Sequence, residues 1–190
     1  MRLLSLLPAV ALLAVAGCAS VDTLDPQRSG QAVSLVDSLS FTNAMSGQPD
    51  ALYVARPLSG SASHTDYFPM AQLKQCGTDG GACRWGVMNA QRSLDKTRYL
   101  DGGVALQVEV KVDVDRRQQV KRPDYAMAMA IPADVPALQA ANTVKRELVL
   151  DYGKVQHIAF PFGVVYHVCA TRMDASRQPL DKCDLAEVAL

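Results

Sequence analysis

The stretch Val104–Asp115, VALQVEVKVDVD, decides the fold class of this chain. Apolar side chains stand at every second position from Val104 to Val114, and polar side chains fill most of the positions between them. Successive side chains of a strand point to opposite faces, so this alternation predicts a strand with one buried face and one wet face. Valine strengthens the prediction, because branching at Cβ favours extended backbone.

The segments around this strand indicate more strands and little helix. Further strands are predicted at 32–42 (or a short helix), 51–57, 144–151 and 155–171, and a loop at 59–66. Pro161 and Gly163 suggest a bulge, a bend or an edge within the last of these strands. One short helix is predicted over 132–142, with Asp134 as its cap and Pro136 in its first turn.

The order of these elements predicts the architecture. Strands do not alternate regularly with helices, which argues against a parallel sheet. We therefore predict a mainly β fold, an antiparallel β-sandwich or small barrel with one short helix. A mixed α+β sheet is the alternative.

Four basic residues separate the alternating strand from a second alternating run. They are Arg116, Arg117, Lys121 and Arg122, and residues 125–131 follow with large apolar side chains between alanines. This order predicts a long antiparallel hairpin with a basic tip. The tip is a possible contact for anionic headgroups, peptidoglycan carboxylates or an acidic partner protein, and a solvated hairpin end is the plainer interpretation.

The first 18 residues have the pattern of an export signal. Arg2 precedes an apolar run of about 14 residues, shorter than the roughly 20 that a spanning helix needs. The run ends Val15-Ala16-Gly17-Cys18, which resembles the lipobox of bacterial lipoproteins. The resemblance implies that residues 1–17 are removed as a signal peptide. It also implies that Cys18 carries diacylglycerol and, usually, an acyl group on its amino nitrogen.

The lipid on Cys18 would make the membrane a partner of this chain. By resemblance to enterobacterial lipoproteins, Ala19 in place of aspartate after the cysteine favours the periplasmic side of the outer membrane. The inner membrane and the cell surface stay open. Residues 18–31 are polar, with Pro26 and Gly30, and are predicted to be the lipidated tether. Residues 32–190 are predicted to form a single β-rich periplasmic domain.

The cysteine count fits this interpretation. Of five cysteines, lipid on Cys18 leaves Cys76, Cys83, Cys169 and Cys183. Four thiols in an oxidising compartment predict two disulfides in one of three pairings. We favour Cys76–Cys83 with Cys169–Cys183, because both bridges are local. A zinc site is disfavoured, because zinc-binding pairs are usually two to four residues apart.

No catalytic or metal-binding pattern stands out. His157 and His167 are ten positions apart, about 33 Å along one strand, so they share an ion only if the chain folds back. We therefore predict no cofactor, no metal and no enzymatic activity. Basic and acidic residues both number 19, so the chain lacks the basic surplus of nucleic-acid binders.

These observations predict a lipid-anchored interaction protein of the cell envelope. Such a protein would be an accessory of an outer-membrane, secretion or cell-wall assembly and would contact another envelope protein. The alternative is a ligand-binding or inhibitor lipoprotein that acts on an envelope hydrolase or toxin, with the loop at 76–83 as its contact.

Overall fold

A computed structural model describes residues 32–58, 63–77, 82–122 and 125–185, except the side chains of Lys96 and Arg122. The predicted signal peptide, Cys18 and the predicted tether lie outside the described residues. The strands are β1 (Ala32–Thr42), β2 (Pro49–Leu58), β3 (His64–Tyr67), β4 (Ala71–Gln75), β5 (Arg84–Leu100), β6 (Gly103–Asp115), β7 (Arg117–Arg122), β8 (Tyr125–Ala130), β9 (Ala140–Asp151), β10 (Gln156–Ala159) and β11 (Val165–Met173).

The strands form two antiparallel sheets and one separate ribbon. The first sheet has the order β10-β11-β1-β2. The second has the order β3-β5-β6-β9, with β4 also paired to β5, and β7 and β8 pair with each other. One apolar core contains side chains from both sheets, so the two sheets pack face to face as a β-sandwich. The prediction of a mainly β, antiparallel fold is confirmed.

The alternating stretch forms β6, as predicted. Its six even-numbered apolar side chains are at most 3% exposed, whereas Asp115 on the other face is exposed. β6 lies between β5 and β9, so its backbone is paired along both edges. β6 is therefore an inner strand of the second sheet.

The helix predicted over 132–142 is wrong. The Trp85 amide donates to the Pro136 carbonyl (2.9 Å), and the Leu138 amide donates to the Trp85 carbonyl (2.6 Å). These bonds hold the segment in an extended conformation beside β5, and β9 begins at Ala140. A three-residue 3-10 turn, Pro161–Gly163, is the helical element among the described residues.

Residues 155–171 form two strands, where one bent strand was predicted. The chain reverses at Pro161–Gly163, and β10 pairs antiparallel with β11. Phe162 (φ 63°) and Gly163 (φ 71°) both take the left-handed conformation that such a reversal requires. The reversal places His157 directly opposite His167. The predicted loop at 59–66 is also too long, because β3 begins at His64.

The prediction of a long hairpin that includes β6 is also wrong. β6 pairs with β5 and β9, and the basic segment itself is the first strand of a shorter hairpin, β7–β8. The edges of β6 are thus already occupied by longer strands, and residues 125–130 pair with the basic segment that precedes them. The basic residues therefore lie along one arm of a ribbon.

Both predicted disulfides are confirmed. Cys76 is bonded to Cys83, and Cys169 is bonded to Cys183. The second bridge fastens the C-terminal segment beside β11. There the Thr171 hydroxyl donates to the Asp181 carbonyl (2.9 Å), and the Arg172 side chain is paired with that of Asp181.

Candidate functional site

The ribbon β7–β8 has two different faces. Cross-strand partners lie on the same face of an antiparallel pair, so the register divides the ribbon cleanly. The outward face consists of Arg117, Gln119, Lys121, Ala126, Ala128 and Ala130, and all six are exposed. This face carries two cations and no carboxylate. The alanines leave the backbone of β8 open to close approach.

The opposite face attaches the ribbon to the sandwich. Val120 and Met129 pack against a small apolar cluster formed by Met70, Val87 and Ile131. Farther along the ribbon, Tyr125 and Met127 are 42% and 36% exposed. The ribbon is therefore held at its base and extends beyond its support, with two large apolar side chains near its free end.

Arg116 braces the base of the ribbon. Its guanidinium donates to the carbonyls of Pro132 (2.6 Å) and Val135 (3.0 Å), and its carbonyl accepts the amide of Ile131. Among the four predicted contact residues, Arg117 and Lys121 share the outward face, whereas the Arg116 side chain is bonded to backbone carbonyls of this protein. Of Arg122, only the backbone is described.

A shallow groove of about 600 Å³ lies beside the ribbon. Its wall includes the ribbon residue Gln118, the acidic residues Asp113 and Asp115 of β6, and Ala140 and Ala141 of β9. Asp115 accepts a hydrogen bond from the Gln139 side chain (2.8 Å), and Asp113 lies 3.1 Å from the Lys111 ammonium. The groove thus places acidic side chains next to a basic ribbon.

A second cavity, of about 490 Å³, lies at the Cys76 end of the predicted contact loop. Lys74, Gln75, Thr42 and Phe162 contribute to its wall. Residues 78–81 of the loop lie outside the described part of the chain. The cavity therefore shows only the surroundings of the contact that the inhibitor alternative predicts.

The interior holds a charge network that the sequence interpretation missed. Arg92 is fully buried, and its Nε donates to Asp37 Oδ2 (2.6 Å). Arg92 Nη1 also lies 3.0 Å from Asp66 Oδ2, and Arg56 pairs with Asp66 from the surface side. The Tyr166 hydroxyl donates to Asp37 (2.9 Å). Two guanidinium groups therefore face two carboxylates between the sheets.

A sequence signal for this network exists in the strand pattern. Asp37 stands between Leu35 and Leu39 on the apolar face of β1, and Arg92 stands between Ala90 and Leu94 on that of β5. A charged residue at a core position needs an opposite charge nearby, because burying an unpaired ion costs a large amount of free energy.

Burial and pairing shift the acidities within the network. Burial raises the pKa of Asp37, and the Arg92 charge opposes that rise. Burial acts in the same direction on Asp66, but hydrogen bonds from Arg56 and the Arg92 charge bring the pKa of Asp66 below its usual value. Burial and the Asp37 charge raise the pKa of Tyr166 well above 10, so its hydroxyl stays protonated and donates.

Within the described ranges, no helix is long and apolar enough to cross a membrane. The same residues contain no group of three or more His, Cys, Asp or Glu side chains placed to hold a metal ion. No protein-family model, curated protein or solved structure matches this chain.

Proposed function

We propose that this protein is a lipid-anchored interaction protein of the cell envelope, and that its partner binds the outward face of the ribbon β7–β8. The partner is an acidic envelope protein, and the anchored chain serves as an accessory of an outer-membrane, secretion or cell-wall assembly. The observation that carries the proposal is a braced ribbon whose six outward residues are all exposed and include two cations without a carboxylate.

The composition of this face favours a protein over a lipid surface. Each basic residue near an anionic membrane contributes about 1 kcal/mol, so Arg117 and Lys121 together hold a membrane weakly. Alanine methyl groups, in contrast, let another backbone approach a flat ribbon closely. Charge complementarity with an acidic surface adds steering and orientation to that contact.

The bracing of the ribbon also supports the proposal. Arg116 and the cluster of Met70, Val87 and Ile131 fix the ribbon before any partner arrives. A surface that is already ordered loses less conformational entropy on binding.

The anchor has its own test. Changing Cys18 to serine removes the sulfur that would accept the lipid, and we expect the variant to leave the membrane fraction. Each buried acyl methylene contributes about 0.8 kcal/mol, so loss of the chains removes nearly all membrane affinity. Membrane fractionation and labelling with an alkyne fatty acid measure the result, with Ser20→Ala as the control. Labelled, membrane-bound Cys18→Ser protein would contradict the proposal.

The partner is tested by photocrosslinking in cells. A photoreactive residue at Gln119, at the centre of the outward face, is expected to give one dominant adduct with an acidic envelope protein. The control position is Val149, which is 51% exposed near the far end of β9. Mass spectrometry identifies the adducts. The proposal would be contradicted if Gln119 captured only lipid or peptidoglycan, or gave no adduct. It would also be contradicted if both positions captured the same proteins.

Charge reversal refines the same experiment. The double variant Arg117→Glu, Lys121→Glu is expected to reduce the Gln119 adduct about tenfold, because steering by charge changes association rates by at least that factor. The matched control, Arg146→Glu with Lys154→Glu, makes the same change in net charge at exposed positions outside the ribbon. An equal loss in both double variants would assign the effect to net charge alone.

A further inference from the structure

The reversal at Pro161–Gly163 creates a pair of histidines on the outer face of the first sheet. His157 of β10 and His167 of β11 are direct cross-strand partners, and their ring centres are 6.4 Å apart. Directly opposite residues in an antiparallel pair share a face, so both imidazoles lie on the same side. His157 is exposed, whereas His167 is only 1% exposed.

The contacts of Ser40 accommodate the tautomer of His167 that carries its proton on Nε2. In that tautomer His167 Nε2 donates to the Ser40 oxygen (2.9 Å), and the Ser40 hydroxyl donates to the Val165 carbonyl in a long bond (3.5 Å). Nδ1 of His167 then bears the lone pair. This buried atom has no hydrogen-bond partner among the described residues.

A buried acceptor without a partner is costly, by about 1–3 kcal/mol. A metal ion is one ligand that satisfies such a lone pair. An imidazole with one nitrogen oriented by a hydrogen bond and the other nitrogen unprotonated has the arrangement common in metal-binding histidines.

We propose that His157 and Nδ1 of His167 together bind a Cu²⁺ ion, with Ser40 as the positioning residue. Imidazole is a good ligand for copper, and Cu²⁺ is bound most tightly among the divalent first-row ions. When two nitrogens bind an ion from opposite sides with bonds of about 2.0–2.1 Å, the centres of their rings lie roughly as far apart as those of His157 and His167. The described residues place no third His, Cys, Asp or Glu side chain there, so water completes the coordination.

The site is separate from the ribbon and is tested independently of it. The full-length lipoprotein, purified in detergent without a polyhistidine tag, is titrated with Cu²⁺ alone and followed by electron paramagnetic resonance. We expect one equivalent of Cu²⁺ with hyperfine splitting from two nitrogens. The variant His157→Ala is expected to bind at least tenfold more weakly and to lose one nitrogen from the spectrum. His157 is exposed, so this change leaves the core intact.

Two further variants separate a built site from chance binding. Ser40→Ala is expected to weaken Cu²⁺ binding about tenfold, the usual effect of removing a group that orients a metal-binding histidine. The imidazole of His64 pairs with Asp66 instead, so His64→Ala is expected to change neither the Cu²⁺ affinity nor the paramagnetic resonance spectrum. No stoichiometric binding by the unaltered protein, or an unchanged affinity and spectrum in His157→Ala, would overturn the proposal.

Discussion

Replacing Asp37 with asparagine is expected to lower the free energy of unfolding by about 3 kcal/mol. The change leaves the fully buried Arg92 without the carboxylate that accepts its Nε hydrogen bond at 2.6 Å. Removing one partner of a buried ion pair typically costs 3–5 kcal/mol, because the remaining charge stays in a medium that solvates it poorly. Asp66 still lies 3.0 Å from Arg92, which places the expected loss at the lower end of that range.

Urea unfolding followed through Trp85, the one tryptophan of the chain, measures this loss. The control is Glu147→Gln, which removes a partner of Arg98 in an exposed pair 3.7 Å apart. Exposed pairs contribute about 0–1 kcal/mol, so the control is expected to change little. Equal losses in the two variants would mean that the interior pair is as well solvated as the surface pair.

A double variant keeps this prediction testable if Asp37→Asn does not fold. Replacing Asp37 by leucine and Arg92 by methionine together removes both charges and keeps apolar volume between the sheets. Such replacements of buried ion pairs are often neutral or stabilising, so the double variant is expected to be more stable than Asp37→Asn. A double variant less stable than the single one would contradict the account of an uncompensated charge.

Replacing Gly103 with alanine is expected to cost about 3 kcal/mol. A Cβ at Gly103 would lie 2.1 Å from the carbonyl oxygen of Leu150 and 3.0 Å from the Cα of Asp151. Both are backbone atoms of β9, so no side chain can rotate away and the two strands must separate. Overpacking typically costs 1–3 kcal/mol, and a backbone clash stands at the upper end.

The neighbouring glycine provides a matched control for this substitution. A Cβ at Gly102 would meet no atom within 4 Å, and the change is expected to stay within about 0.5 kcal/mol. Urea midpoints compare the two variants, and hydrogen exchange of the β9 amides locates the loss. Similar midpoints for Gly103→Ala and Gly102→Ala would show that β6 and β9 do not approach this closely.

Local patterns were sufficient to predict β6 and the mainly β class. The alternation in β6 depends only on which side chains follow one another, and its even face is buried as predicted. The local disulfides were also predictable, since short loops between cysteines favour closure. The helix prediction over 132–142 failed for a non-local reason. The amide of Trp85, which is distant in the chain, donates a hydrogen bond to the Pro136 carbonyl and holds the segment extended.

The candidate partner site was half predictable. Sequence composition identified the basic segment, but not which of its side chains point outward. Register decides that: Arg117 and Lys121 share a face because β7 pairs with β8, while Arg116 turns back to the carbonyls of Pro132 and Val135. An alternating sequence specifies two faces, and only the packing of the ribbon on the sandwich shows which of them is exposed.

The sequence by itself determined the mainly β class, the cysteine pairs and the expectation of a lipid anchor at Cys18, because each depends on residues close together in the chain. Tertiary structure alone decided the pairing of Asp37 with Arg92 and the meeting of His157 with His167. The first joins strands of opposite sheets, and the second depends on a tight reversal at Phe162 and Gly163. Periodicity reports whether a side chain faces the core or water, but it carries no information about which distant side chain faces it there.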